Sequence, residues 1–236
     1  MGGHDRLLIL SCYCRRWSSP PEPGIPTPKR ENRQVNGQRG CATADLGLIE
    51  TEHLYLSPLL AGHSDAVFSV YSDPETWLHL PTGRHTRRAQ SDAVIARSIK
   101  SWKDFGLGEW AITYRGLRPG RSRPDGSFVG TGGVSMTPAG VWNLGYRLSP
   151  SWWGRGLASE VARAAVDAAG STDSSRPITA RILTNNPASA SVARRVGLSL
   201  IWEGPTTADA AEEIGGQIYA DRALGAPALD WLIRHV

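Results

Sequence analysis

The sequence predicts one mixed α/β domain, of α+β type, behind an irregular leader. Three observations carry that expectation. From Leu48 onward, stretches of strand-like and helix-like apolar periodicity succeed one another. A strand–helix–strand unit lies at the centre, its helix carrying Leu157, Val161, Ala165 and Ala169 at four-residue spacing, a narrow stripe of mostly small residues suited to close packing. Before residue 46 the composition changes: Cys12, Cys14 and Cys41, every cysteine of the chain, fall there, as do Pro20, Pro21, Pro23, Pro26 and Pro28.

Residues 1–45 are expected to be a flexible Pro/Arg-rich tail, because each proline removes a backbone donor and fixes φ. The run Leu7-Leu8-Ile9-Leu10 is well short of the ~7–15 apolar residues of a secretory signal. No stretch approaches the ~20 apolar residues of a membrane span, so no membrane partner is expected. Residues 46–236 are expected to form the folded domain.

Within it, Thr51 to Leu59 reads as a first strand with Leu54, Leu56 and Leu59 apolar. Ser64 and Asp65 offer an N-cap for a helix carrying Ala66, Val67, Val70 and Tyr71. Ser91 to Trp102 is a second helix, with Val94, Ile95, Ile99 and Trp102 at helical spacing. Trp110 to Arg115 is a strand, followed by an Arg/Pro/Gly-rich loop to about Ser127. Phe128–Val134 and Trp142–Leu148 pair as a hairpin around Thr137–Gly140. A helix from Arg155 to Ala169, a strand Ile178–Thr184, a short helix Ser189–Val196 and strands near Ser199–Glu203 and Gln217–Leu224 complete the domain.

Hydrophobic residues at 40% and charged residues at 20% describe a globular chain. The net charge of +4 divides unevenly: residues 1–45 hold seven Lys/Arg against four Asp/Glu, the remainder nineteen against eighteen. The body is nearly neutral, so no nucleic-acid partner is expected. Lacking cysteine, it has no disulfide, thiolate nucleophile or cysteine metal ligand, which fits a cytoplasmic protein. His4, His53, His63, His79, His85 and His235 show no ligand spacing, so no metal is expected. The Arg84, His85, Arg87, Arg88 cluster reads as a solvated helix entrance, and Arg115, Arg118, Arg121 and Arg123 as a surface loop. Of the nine tryptophans, Trp110 and Trp153 are placed nearest a cleft.

The chemistry concentrates between Asn143 and Gly197. A strand, Leu144 to Leu148, turns through Ser149-Pro150-Ser151 into Trp152-Trp153-Gly154-Arg155-Gly156-Leu157-Ala158-Ser159-Glu160, which opens the small-residue helix. Two glycines at a strand-to-helix turn leave backbone N–H groups unobstructed, and the first N–H groups of a helix lack internal partners. With the helix dipole they suit a pyrophosphate. A dinucleotide fingerprint fails here, because Ser159 stands where the third glycine belongs and no acidic residue caps a strand ~20 positions on. Gly130-x-Gly132 fails likewise at Ser135.

The segment resembles the acetyl-CoA pyrophosphate loop of the GNAT superfamily, Arg/Gln-x-x-Gly-x-Gly/Ala, with Gly154 and Gly156 on its small positions and Trp152 in place of the leading basic residue. The form Trp-Gly-basic-Gly-aliphatic-Ala-x-Glu is similar to the RimJ/RimL-like branch, which acetylates ribosomal-protein N-termini. Asn186 to Leu198 resembles the family's Asn-x-x-Ser…Gly-Phe block, and the likeness extends over residues 46–225.

The resemblance implies the GNAT acyl-CoA N-acyltransferase fold, a mixed and mostly antiparallel sheet flanked by helices. It implies acetyl-CoA as co-substrate, direct attack of an amine on the thioester, and no metal. The acceptor is expected to be a protein or peptide N-terminus, with a small amine such as an antibiotic or polyamine as the alternative; a non-catalytic acetyl-CoA sensor is the reading from another class. Dimers are common in the family, so a homodimer is an assembly the resemblance allows. The coenzyme is expected along Tyr146, Arg147 and Leu148, over Trp153, Gly154, Arg155 and Gly156, at Leu157, Ala158 and Ser159, and beside Asn186 and Ser189. An oxyanion donor is expected at the N–H of Leu148 or Ser149. The tyrosine that many relatives use as acid is Ala193 here, which leaves Ser189, Ser191 or a water for that role; Glu109 and Glu50 are the candidate bases.

Overall fold

A computed structural model describes residues 48–116, 126–206 and 214–236. The expected tail at 1–45, and Arg118, Arg121 and Arg123, lie outside these residues. The described residues form an eight-stranded sheet and five α-helices.

The first strand is not continuous. Ile49–Glu50 (β1) folds back on Leu54–Pro58 (β2) through Thr51–His53. The Thr51 hydroxyl causes the turn, donating to the Leu54 carbonyl at 3.1 Å and accepting the Leu54 N–H at 3.2 Å. Helix α1, Ser64–Tyr71, grows out of a 3-10 turn at Ala61–His63, so His63 holds the cap position expected for Ser64 or Asp65. Those two side chains instead reach α2, Arg88–Phe105: Ser64 donates to Asp92, and Asp65 pairs with Arg88.

Helix α2 extends beyond its apolar spacing at both ends. The Gln90 side-chain oxygen accepts the N–H groups of Thr86 and Arg87, both at 2.9 Å, and Gly106 at φ +71° stops the helix. Ile99, expected on the inner face, is 40% exposed; Ser91, Ser98 and Ser101 are buried with Val94 and Ile95. These small residues let the helix approach the chain beneath it, with Ser98 donating to the Glu109 carbonyl and Ser101 to the Leu107 carbonyl.

Strands β3 (Glu109–Tyr114), β4 (Phe128–Met136) and β5 (Trp142–Leu148) form an antiparallel meander, with the expected hairpin turn closed by the Thr137 hydroxyl on the Val141 carbonyl. Helix α3, Leu157–Thr172, buries Leu157, Val161, Ala165 and Ala169 as its spacing predicts. Its approach requires Gly132 on β4, where an added Cβ would stand 2.8 Å from both Val161 Cγ1 and Tyr146 Cβ.

Next come β6 (Ile178–Leu183), α4 (Pro187–Arg195), β7 (Ser199–Pro205), β8 (Gly215–Ala220) and α5 (Ala226–Ile233). The last strand stops at Ala220, short of the expected Leu224. The chain then forms α5, which the periodicity does not announce because Leu232 is its one fully buried side chain, packed on Ile218.

The sheet order is β1-β2-β3-β4-β5-β6-β8-β7, antiparallel throughout except for β5–β6. One face packs on α3 and α4 through Leu54, Trp110, Ile112, Val134, Leu144 and Ala180. The other meets α1 and α2 around Leu59, Val67, Tyr71 and Ala111. Trp110, expected near a cleft, is fully buried in the first of these cores, since strand alternation turns it toward α3.

Candidate active site

The parallel pair β5–β6 is joined at only two positions, Trp142↔Ile178 and Asn143↔Thr179, after which the strands part. The Ser149 N–H donates to Val129 on β4 at 2.9 Å, whereas the Trp142 N–H donates to Pro177 on the β6 side at 2.9 Å. The β4–β5 ladder has no register shift, and antiparallel bonding alternates. The N–H groups of Tyr146 and Leu148 therefore face the gap. Ser149 is removed as an oxyanion donor because its N–H belongs to the ladder, and Leu148 keeps that capacity.

At the end of β5 a 3-10 turn, Pro150–Trp152, buries Trp152 against Tyr114, with Arg155 over its ring. Trp153 is 48% exposed, and its indole N–H donates to the Leu148 carbonyl at 2.9 Å. Gly154 and Gly156 adopt φ +73° and +78°, in the left-handed region, with no heavy atom within 4 Å of an added Cβ. Packing does not demand these glycines; the backbone turn does. The Ser159 and Glu160 N–H groups both bond to the Gly156 carbonyl, so Ser159 retains only its side chain for a ligand. The N–H groups of Leu157 and Ala158, in the first turn of α3, have no helical partner. This exposed cradle fits a pyrophosphate.

Asn186, rather than Ser189, caps α4: its side-chain oxygen accepts the Ser189 N–H at 3.2 Å. Ser189 sits in the first turn, next to the buried hydroxyl of Tyr146. Burial pushes the Tyr146 phenol above its ordinary range, opposed by the Ser189 hydroxyl. Ala193, one turn further on, is buried in the core.

Glu109 and Ser189 lie on opposite faces of the sheet. The Glu109 carbonyl is pinned by three donors, Leu59 N–H, the Ser98 hydroxyl and the Trp102 indole. Its carboxyl joins a cluster that sequence reasoning missed. The Thr131 hydroxyl lies beside the carboxylate and lowers its pKa, and the Tyr71 hydroxyl meets Thr131 at 2.8 Å. Arg147, expected in the strand that holds the coenzyme, stacks its side chain on Trp77 at 3.3 Å and bonds the Thr76 carbonyl, so only its backbone faces the rest of that strand's expected site. Burial raises the Glu109 carboxyl above its ordinary value, opposed by Arg97, Thr131 and Arg147. Burial likewise lowers His79, with Arg147 adding to the effect. Along the register Glu109 faces Gly133, which faces Gly145, so no side chain stands on that row between the carboxylate and the edge of β5.

Asn185 was also missed; its amide donates to the His79 carbonyl at 3.0 Å and ties the end of β6 to the α1–α2 connection. No local pattern marks Asn185 or the Thr131–Tyr71 pair, because their partners are distant in the chain. Glu50 is removed from the site: it lies exposed on edge strand β1, beside Arg115. His85 is buried against Tyr71 and Ser91, which corrects the solvated helix entrance at that residue. Among the described residues no group of three or more His, Cys, Asp or Glu side chains is arranged to hold a metal, and no helix is long and apolar enough to cross a membrane.

The parted strands, the bare glycine turn and the helix N-terminus together offer free backbone donors to an extended ligand that ends in a pyrophosphate. Residues 53–199, more than half of the chain, match the Acetyltransferase (GNAT) domain, and the protein belongs to that family of acetyl-CoA-dependent acetyltransferases. Its fold is similar to that of an acetyltransferase from Agrobacterium tumefaciens, with 24% identity, a TM-score of 0.58, and coverage of 83% of this chain and 100% of that one. It is similar to a GnaT-family acetyltransferase from Bordetella pertussis at 16% identity and TM-score 0.59, covering 74% of this chain and 99% of that one. It is also similar to RimL, a ribosomal L7/L12 alpha-N-protein acetyltransferase in complex with coenzyme A, at 16% identity and TM-score 0.58, covering 73% and 96%.

Proposed function

We propose that the protein acetylates the N-terminal amine of a peptide or protein. The observation that carries this reading is the charge of the acceptor-side face. Its carboxylate Glu109 is flanked by Arg147 and Arg97, and that positive charge repels a polyamine, with several ammonium groups, more than a peptide N-terminus with one. The loop sequence Trp153 to Glu160 supports the RimJ/RimL-like branch.

In this reading the pyrophosphate rests on the free N–H groups at the start of α3 and the pantetheine on those of Tyr146 and Leu148. Leu148 N–H also faces the carbonyl oxygen as it becomes an oxyanion. Glu109 takes the amine proton. It stands about two strand spacings, ~10 Å, from Gly145, so the proton crosses by water along the bare glycine row. Asn186 and Ser189 line the other side of the gap.

The test heats the protein with and without acetyl-CoA, then follows thiol release with a panel of peptides and small amines. At ~100 times Kd, binding adds about 2.7 kcal/mol of stability. We expect a rise in Tm and release driven by peptides. Release driven by polyamines instead would overturn the acceptor assignment, and no thermal rise would overturn coenzyme binding.

A further inference from the structure

Collapse of the tetrahedral intermediate expels a thiolate, and α4 offers no tyrosine to protonate it, since Ala193 is small and buried. Tyr146 on β5 presents a different phenol to the same region. Its hydroxyl is buried, and among the described residues no group meets it at hydrogen-bonding geometry. Two other side-chain nitrogens share that condition, those of Trp110 and Trp142, but both rings lie fully inside the core. Tyr146 is only partly buried and stands where β5 has lost β6.

Placement follows from the sheet. Tyr146 pairs with Gly132 and lies on the face covered by α3, its Cβ close to where Val161 packs. The Ser189 hydroxyl is next to its own. Ser189 and Ala193 are four residues apart on α4 and therefore share one face of the helix. The phenol thus stands one turn from the position where relatives project a tyrosine, reached from the strand rather than the helix.

We propose that Tyr146 donates the proton to the departing coenzyme thiolate, a role that rests on the acetyl-transfer reading above. The C–S bond breaks, its electron pair passes to sulfur, and sulfur takes the phenolic proton. The phenolate regains a proton from solvent, while the amine's proton leaves by way of Glu109. The raised phenol remains protonated at neutral pH and available for transfer.

Tyr146→Phe keeps the ring and its packing, and site-specific fluorotyrosine at 146 keeps the hydroxyl while making it more acidic. We expect Tyr146→Phe to bind acetyl-CoA with unchanged Kd and to lose roughly 10²-fold in single-turnover rate. The alkaline limb of the rate profile should disappear in that variant and move to lower pH with fluorotyrosine, which a merely structural tyrosine would not produce. Retention of the rate within about twofold overturns the proposal. So does a weakened Kd with normal turnover at saturation, which would make Tyr146 a coenzyme-holding residue. If the wild-type protein binds acetyl-CoA but transfers to no amine, the acetyl-transfer reading itself fails; if wild type and Tyr146→Phe transfer alike, only the Tyr146 assignment falls.

Discussion

The indole N–H of Trp153 donates to the Leu148 carbonyl at 2.9 Å, tying the glycine turn to the last residue of β5. The ring is half exposed, so the tie orders the site without supporting the core. A neutral hydrogen bond contributes about 0.5–1.5 kcal/mol. Trp153→Phe should therefore weaken acetyl-CoA binding by roughly 2–10-fold, measured by calorimetry, with little change in Tm. Unchanged affinity would mean that the loop holds its shape without this bond.

Gly156 separates backbone strain from ligand access. An added Cβ there meets no heavy atom within 4 Å, so the main cost of Gly156→Val is the left-handed conformation, about 1–2 kcal/mol. For a domain of this size the expected drop in Tm is about 2–8 °C. Acetyl-CoA binding should fall by more than that strain explains, because the new methyls cover the free N–H groups of the first turn. Full retention of binding would place the phosphates elsewhere.

Glu109 sets the expected acid limb of activity. Its carboxyl is raised by burial, and a base acts only when deprotonated, so kcat/KM should climb as pH rises through a value above the ordinary carboxylate range. Glu109→Gln should flatten that limb and lower the rate by roughly 10²-fold. A limb that persists in the variant would assign the titration to the substrate amine.

Acid stability should depend on Glu160 at the start of α3. Burial alone would raise its carboxyl, but the neighbouring Thr51 hydroxyl and hydrogen bonds from the His53 N–H and ring hold it below its ordinary value. A depressed carboxyl stabilises the fold above the unfolded-state value and loses that contribution as pH falls through the folded one. Glu160→Gln should cost about 1–2 kcal/mol at neutral pH, discounted for partial exposure, and less in acid. Urea melts across that range measure the difference; an equal loss at every pH would contradict the account.

Legibility followed locality. The α3 stripe, the hairpin at Thr137–Gly140 and the glycine turn are written in contiguous residues, and the structure places each of them within a few positions of expectation. Expectations failed where a distant side chain intervened. Ile99 matched helical spacing, yet the inner face of α2 belongs to serines that anchor the carbonyls of Leu107 and Glu109. Ser189 looked like a cap, but Asn186 reaches its N–H first. Arg147 lies in the strand expected to hold the coenzyme, and alternation sends its guanidinium to Trp77 on the other face.

The sequence by itself determined the fold class, the family resemblance and the glycine turn at the start of α3, because glycine conformation, helix periodicity and helix-end chemistry act over a few residues. Tertiary structure alone decided the parting of β5 from β6, the meeting of Tyr146 with Ser189, and the line from Glu109 through Thr131 to Tyr71. Those arrangements depend on strand register and on helices docked from remote parts of the chain, and a single residue's shift in register would turn each side chain to the opposite face.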